Sequence, residues 1–237
     1  MTAGSTLDII FDESTAVRLH SPSKKSPDAY VKLASKWKFC ADATPVGPTQ
    51  GALNVSQVYH ATLETYQSPV ARSRADPIEV AVKWVRGSLG VEKMRYEAAL
   101  YKGKLKHLQG DVVPRCYGFF TGEVDGEVSG CLVLERCNNS YSLKREELNR
   151  RRMSAIYRLH AEGIVHGQLR DAGHFLYSQD GRVRIVDFST AQLHHCPNHW
   201  DGSAFERGPS PEPCEEVSTM EVCLGICSAG GWAIQGY

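Results

Sequence analysis

No charge of either sign is in excess along these 237 residues: 27 Lys and Arg stand against 27 Asp and Glu. A balanced chain has no sequence-independent pull toward nucleic acid or an anionic membrane surface, so neither is expected as a partner. No apolar run approaches the ~20 residues that cross a bilayer as a helix. The opening stretch MTAGSTLDIIFDESTAVRLH carries acids where a secretory signal has a basic start and a long apolar core. Cytosol or nucleus is the expected compartment. Paired Cys-x-x-Cys motifs are missing as well. The eight cysteines, at 40, 116, 131, 137, 196, 214, 223 and 227, are scattered through a chain large enough to fold without disulfide staples, and reduced thiols are expected. His194, His195, Cys196 and His199, with Cys214, Cys223 and Cys227 downstream, are ligand types that suit zinc. Their spacing matches no paired motif, and polar loop histidines with small buried thiols are the plainer reading.

With 42% hydrophobic residues the chain can build a sizeable core, as one large domain or as two small lobes. The first fifty residues mix short apolar pieces with turn-formers and end in ADATPVGPTQG, which reads as an extension followed by a loop. From Val55 the pattern changes. VSQVYHATLE alternates as a strand, QSPVARSRADP is a turn-rich loop, and IEVAVKWV is a second strand rich in Val and Ile. Over 91–109, Met94, Ala98, Tyr101, Leu105 and Leu108 recur at three- and four-residue intervals, the stripe of an amphipathic helix. CYGFFTGEV and SGCLVLERC flank the acidic loop VDGE and predict a hairpin. LKREELNRRRMSAIYRLHAEG predicts a helix that stops near Gly163, with Arg150 to Arg152 on a solvated face paired with acids. IVHGQLRDAGHFLY, a turn at SQDG and VRIVDFSTAQL give strand-like pieces around loops rich in ionisable side chains, and CEEVSTMEVCLGI gives one last helix.

Three separated pieces carry a resemblance: VAVK at 80–83, the helix holding Glu97, and HGQLRDAGH at 166–174 followed by VDFS at 186–189. In order and spacing they resemble the protein kinase-like superfamily, over residues 51–191. The resemblance implies an α+β, bilobal protein kinase-like fold. Residues 1–50 would be an extension, 51–136 an antiparallel-strand N-lobe carrying one helix, and 137–237 a reduced, mainly helical C-lobe. It also implies that Lys83 pairs with nucleotide phosphates and with Glu97. Gly51 takes the first slot of the glycine-rich loop, while Leu53 and Ser56 stand where further glycines would let backbone N–H groups approach phosphate. Val58 and Ala81 would roof an adenine ring, and Glu135 to Cys137 would offer backbone groups to its edge. Asp187 would hold the Mg2+ of ATP, with Phe188 packed beneath it and Ser189 in place of a glycine. SPE at 210–212 is a faint echo of the motif that closes the activation segment.

The departure lies in the loop between them. The family pattern H-R-D-x-x-x-x-N uses Asp to accept the substrate hydroxyl proton and Asn to hold a metal ion. This chain has His166, Gly167 and Gln168. An amide orients a hydroxyl but takes up no proton near neutral pH. Gly173 stands in the Asn slot, followed by His174, whose imidazole suits Mg2+ poorly. Asp171 is the candidate substitute base, with a loop-capping role as the plainer reading. The expected function is therefore a pseudokinase that binds ATP and Mg2+ and acts through a protein partner. Two alternatives stand beside it: an active kinase for protein Ser/Thr or small-molecule hydroxyls, and an interaction module that binds no nucleotide.

Overall fold

The structure, a computed structural model, describes residues 5–10, 16–21, 29–37, 56–65, 76–138, 143–178, 180–197 and 214–226. Gly51, Leu53, His199, Cys227 and the SPE at 210–212 lie outside them. The chain divides into two compact units, Met1–Ala99 with Arg115–Arg136, and Leu100–Pro114 with Cys137–Tyr237. The class is α+β: a curled, almost wholly antiparallel sheet with three α-helices among the described residues. None of those helices is long and apolar enough to cross a membrane.

The first unit is a closed barrel of seven strands: β1 (Thr6–Ile10), β2 (Ala16–His20), β3 (Ala29–Trp37), β4 (Gln57–Thr65), β5 (Ile78–Arg86), β6 (Cys116–Val124) and β7 (Glu127–Glu135). Around the barrel they run β1-β2-β6-β7-β5-β4-β3. Every pairing is antiparallel except β1 with β3. Three of the strands come from residues 6–37, the stretch read from the sequence as an extension and loop. Leu7, Ile9, Leu19 and Val31 from these strands are fully buried in the core they share with Val80, Val82, Phe120 and Val133. Asp8 sits opposite Arg18 in the β1–β2 register, and the guanidinium donates to both carboxylate oxygens at 2.7 and 2.8 Å. Closure at β2–β6 needs a small residue, because a Cβ on Gly122 would stand 2.8 Å from Leu19 Cδ2 and 3.3 Å from the Arg18 carbonyl.

The hairpin expected around VDGE is tight. Val124 faces Glu127, and the two turn residues, Asp125 and Gly126, have φ of 54° and 76°. Both angles are positive, as a type I′ turn requires, and Asp-Gly is the dipeptide that suits them. Along β5 the two-residue alternation turns Val80, Val82 and Trp84 into the barrel and leaves Ala81, Lys83 and Val85 for the outer face. That outer face is buried too, since helix α1 (Ser88–Lys102) packs on it. A Cβ on Gly130 of β7 would meet Val91 Cγ2 at 3.3 Å and Met94 Sδ at 3.6 Å. The predicted stripe of Met94, Ala98, Tyr101, Leu105 and Leu108 is buried throughout, although the α-helix stops at Lys102 and its continuation is a 3-10 turn at Lys106–Leu108.

The second unit is built from shorter pieces. Helix α2 (Arg145–Ala161) ends before Gly163, which has φ of 72°. It is followed by β8 (Ile164–Val165), a 3-10 turn at Ala172–His174, β9 (Phe175–Tyr177), β10 (Val183–Ile185), β11 (Gln192–Leu193) and α3 (Glu215–Cys223). The α3 helix falls within the CEEVSTMEVCLGI segment expected to form it. β9 and β10 form one antiparallel ribbon, and β8 and β11 another. Buried Arg184 on β10 fastens the first ribbon, donating to the carbonyls of Gly110 at 2.7 Å and Asp111 at 2.6 Å. The basic run on α2 meets an acid at Arg150 and Arg151, as its spacing suggested, but not at half-buried Arg152. Arg151 reaches Glu147 at 2.8 Å, and Arg152 donates to the Tyr177 hydroxyl at 2.7 Å and lies over the Phe175 ring.

Candidate functional site

In the first unit, the outer face of β5 brings Lys83 to α1. Glu97 lies on the same buried helix stripe as Met94 and Ala98, where a carboxylate is costly unless a cation meets it. Lys83 Nζ donates to Glu97 Oε2 at 2.8 Å, with side-chain exposures of 9% and 0%. Replacing such a buried pair by apolar side chains of similar volume is often neutral or stabilising, so it is a poor device for stability alone. A buried charge pair of this kind is therefore a candidate for a functional role. Val58, half-buried on β4, is the register partner of Lys83, and Ala81 is buried two residues before it. Glu135 closes β7. Its backbone N–H is already spent on the Arg115 carbonyl at 2.8 Å, and its carboxylate accepts from the Arg115 N–H at 3.0 Å. Any hinge-like recognition at this end must use other groups.

In the second unit, β8 delivers the chain to the loop of His166, Gly167 and Gln168. The His166 ring is fully buried and donates from Nε2 to the Val186 carbonyl at 2.9 Å, leaving Nδ1 without a hydrogen bond. Burial holds its pKa below the ordinary histidine range, against the Val186 carbonyl, which favours the protonated ring. The ring packs edge-on to Phe188 at 5.2 Å and beside His174 at 5.0 Å, and Phe188 in turn meets Tyr101 at 5.8 Å. His174 is buried and its Nδ1 donates to the Gln168 carbonyl at 2.9 Å. That bond shapes the loop and commits Nδ1, one of the two ring nitrogens a metal ion could have used. Asp171 accepts the Gly173 N–H at 2.8 Å as the cap of the 3-10 turn, the plainer of its two readings. Gln168 is exposed. Cys137, the last of the residues expected to offer backbone groups to an adenine edge, belongs to this unit and is buried.

Asp187 is half-buried, with φ of 67°. Left-handed backbone at a non-glycine residue costs about 1–3 kcal/mol and persists where surrounding structure enforces it, characteristically at active sites and switches. The His166–Val186 bond on one side and buried Phe188 on the other do so here. Ser189 donates its N–H to Asp187 Oδ1 at 3.3 Å, which turns the carboxylate back over the loop.

Glu216 went unnoticed in the sequence, where it reads as an ordinary acid in the first turn of a helix. It accepts the backbone N–H of His166 at 2.9 Å and of Gly167 at 2.6 Å, and a bond from His160 Nε2 at 2.8 Å. Burial pushes its pKa up, but these three bonds outweigh burial and hold the carboxylate below its usual range. Nothing local marks it, because the loop it clamps is 50 residues away. Beside it is a depression of about 570 Å3, lined by Gly167, Arg170, His194, Cys214, Glu216 and Thr219 among others.

No protein-family model matches the chain. It is similar to the meiotic driver SPOK2 of Podospora anserina, with 25% identity over 109 residues, which is 44% of this chain and 14% of that protein. The chain thus matches a small part of a much longer relative.

Proposed function

We propose that this chain is a degenerate protein kinase-like domain, bilobal in that family's sense, which binds Mg-ATP and acts through a protein partner without efficient phosphoryl transfer. The observation that carries the reading is the buried Lys83–Glu97 pair between strand and helix. A fixed ammonium held by a helix carboxylate is what phosphate positioning asks for. Support also comes from Asp187, a carboxylate in an enforced left-handed conformation, in the place of the Mg2+ ligand. Val58 and Ala81 supply apolar surface beside Lys83 for a base. Against turnover stand the uncharged Gln168 amide and Asp171, whose carboxylate is engaged in capping.

Thermal unfolding of the full chain with and without millimolar Mg-ATP tests nucleotide binding, since a ligand of the native state raises apparent stability with its concentration. A rise is expected in the wild type and its loss in Asp187→Ala. No rise in the wild type defeats the reading. A radiolabel transfer assay then separates a binder from an enzyme. Background incorporation is expected from the wild type and a gain from Gln168→Asp, whereas wild-type turnover abolished by Asp171→Ala establishes an active kinase instead.

A further inference from the structure

We propose that His160, His194, Cys196 and Cys214 form a tetrahedral structural zinc site in the second unit. The four come from three separate pieces of chain: His160 from the last turn of α2, His194 and Cys196 from the stretch just after β11, and Cys214 from the N-cap of α3. One ligand atom from each lies within 4.8 Å of all the others. His160 Nδ1 is 3.2 Å from His194 Nε2, 3.6 Å from Cys196 Sγ and 3.5 Å from Cys214 Sγ.

Hydrogen bonding does not account for this arrangement. An imidazole nitrogen offers a single lone pair or a single N–H, so it makes a good hydrogen bond to only one of three such neighbours. A tetrahedral ion accounts for all three. With Zn–N near 2.05 Å and Zn–S near 2.3 Å, the edges of the tetrahedron are ~3.3 Å between nitrogens and ~3.5 Å from nitrogen to sulfur. The observed separations match both edge types.

The opposite nitrogen of His160 completes the case. Nε2 meets the Glu216 carboxylate at 2.8 Å, an acceptor that keeps the proton on Nε2 and the Nδ1 lone pair facing the cluster. A carboxylate behind a ligating histidine is the recurrent outer partner of zinc sites. His160 and Cys214 are buried, while His194 and Cys196 are half-buried. His194, Cys214 and Glu216 line the depression beside Gly167, which gives an ion a way in. Two thiolates and two imidazoles are a soft, closed donor set that favours Zn2+ over Mg2+ or Ca2+ and leaves no position for substrate. Through Glu216, the ion would hold the His166–Gly167 loop in place. The sequence offered His194, Cys196 and Cys214 among its zinc-type residues but not His160, which lies 34 residues before His194 and 54 before Cys214.

Metal analysis of the full chain, purified without chelator and with zinc supplied, should find about one zinc per chain. Cobalt(II) should replace it with tetrahedral ligand-field bands and a thiolate charge-transfer band. Titration of the wild type with an organomercurial should release the zinc as the Cys196 and Cys214 thiols, followed by peptide mass, are modified. Cys196→Ser and Cys214→Ser should each lower bound zinc to near background, while His195→Ala, an exposed neighbour outside the set, should keep it. Markedly substoichiometric zinc in the wild type, a Cys196–Cys214 disulfide in its mass spectrum, or full zinc in Cys196→Ser overturns the proposal. The wild-type measurements decide the matter even if the serine variants fail to fold.

Discussion

In the first unit, strands of up to nine residues pair along their length and close around aliphatic and aromatic side chains, whereas in the second the strands are two or three residues long and the joints are polar. Arg184 holds the carbonyls of Gly110 and Asp111, Glu216 holds the amides of His166 and Gly167, and Asn149 holds the Leu224 carbonyl. The two kinds of construction fail differently. An apolar core accepts exchanges of similar volume, while a polar joint that loses one member leaves the other buried without a partner. The Lys83–Glu97 pair is therefore an exception in the barrel unit, a polar joint with both members buried, set against an apolar wall.

The comparison is sharpened most by that exception. Lys83→Met alone strands the Glu97 carboxylate and should cost about 3–5 kcal/mol in urea unfolding followed by tryptophan fluorescence. Lys83→Met with Glu97→Leu should recover most of the loss, because no buried charge is left over. Strict additivity would place the pair among ordinary contacts. Next in size, Arg184→Met should cost about 2–3 kcal/mol by abandoning two part-buried carbonyls, while Leu19→Met in the barrel should cost less than about 1.5 kcal/mol. Equal costs would break the contrast between the units.

A smaller effect is expected from pH. The folded pKa of His166 lies below its ordinary value of 6.5, so below that value the unfolded chain gains a proton that the folded chain refuses. Its contribution is intact above 6.5 and is lost as pH falls toward the folded pKa. His166→Phe should flatten the decline of stability across that window, and an unchanged slope would assign the decline to other groups. Smallest of all, Arg151→Ala removes an exposed i,i+4 pair with Glu147 and should change stability by no more than about 0.5 kcal/mol.

Much of this architecture could be read residue by residue. The Met94-to-Leu108 stripe, the Asp125-Gly126 turn and the stop at Gly163 obey periodicities and turn preferences that act within a few residues. Lys83 and Glu97 were paired by their resemblance to a known pattern, and the barrel and helix bring them into contact. The strands at 6–37 were not legible. Two of the three are only five residues long, all are separated by stretches without a strong pattern, and the first and third meet in a parallel pairing that no hairpin turn announces. His160 and Glu216 were invisible for a related reason, each resembling a routine helix-end residue until its distant partners are known.

What the amino-acid order determined alone was local: which stretches wind, where the chain turns, and which stretches beyond residue 55 extend. Tertiary structure alone decided that the sheet closes on itself. It also decided that the His160 ring nitrogen faces an imidazole and two sulfurs drawn from up to 54 residues away. Helical and strand periods repeat within a few residues, so they leave a trace in sequence. Convergence of distant groups depends on the summed directions of every intervening turn, and no short window of residues carries that sum.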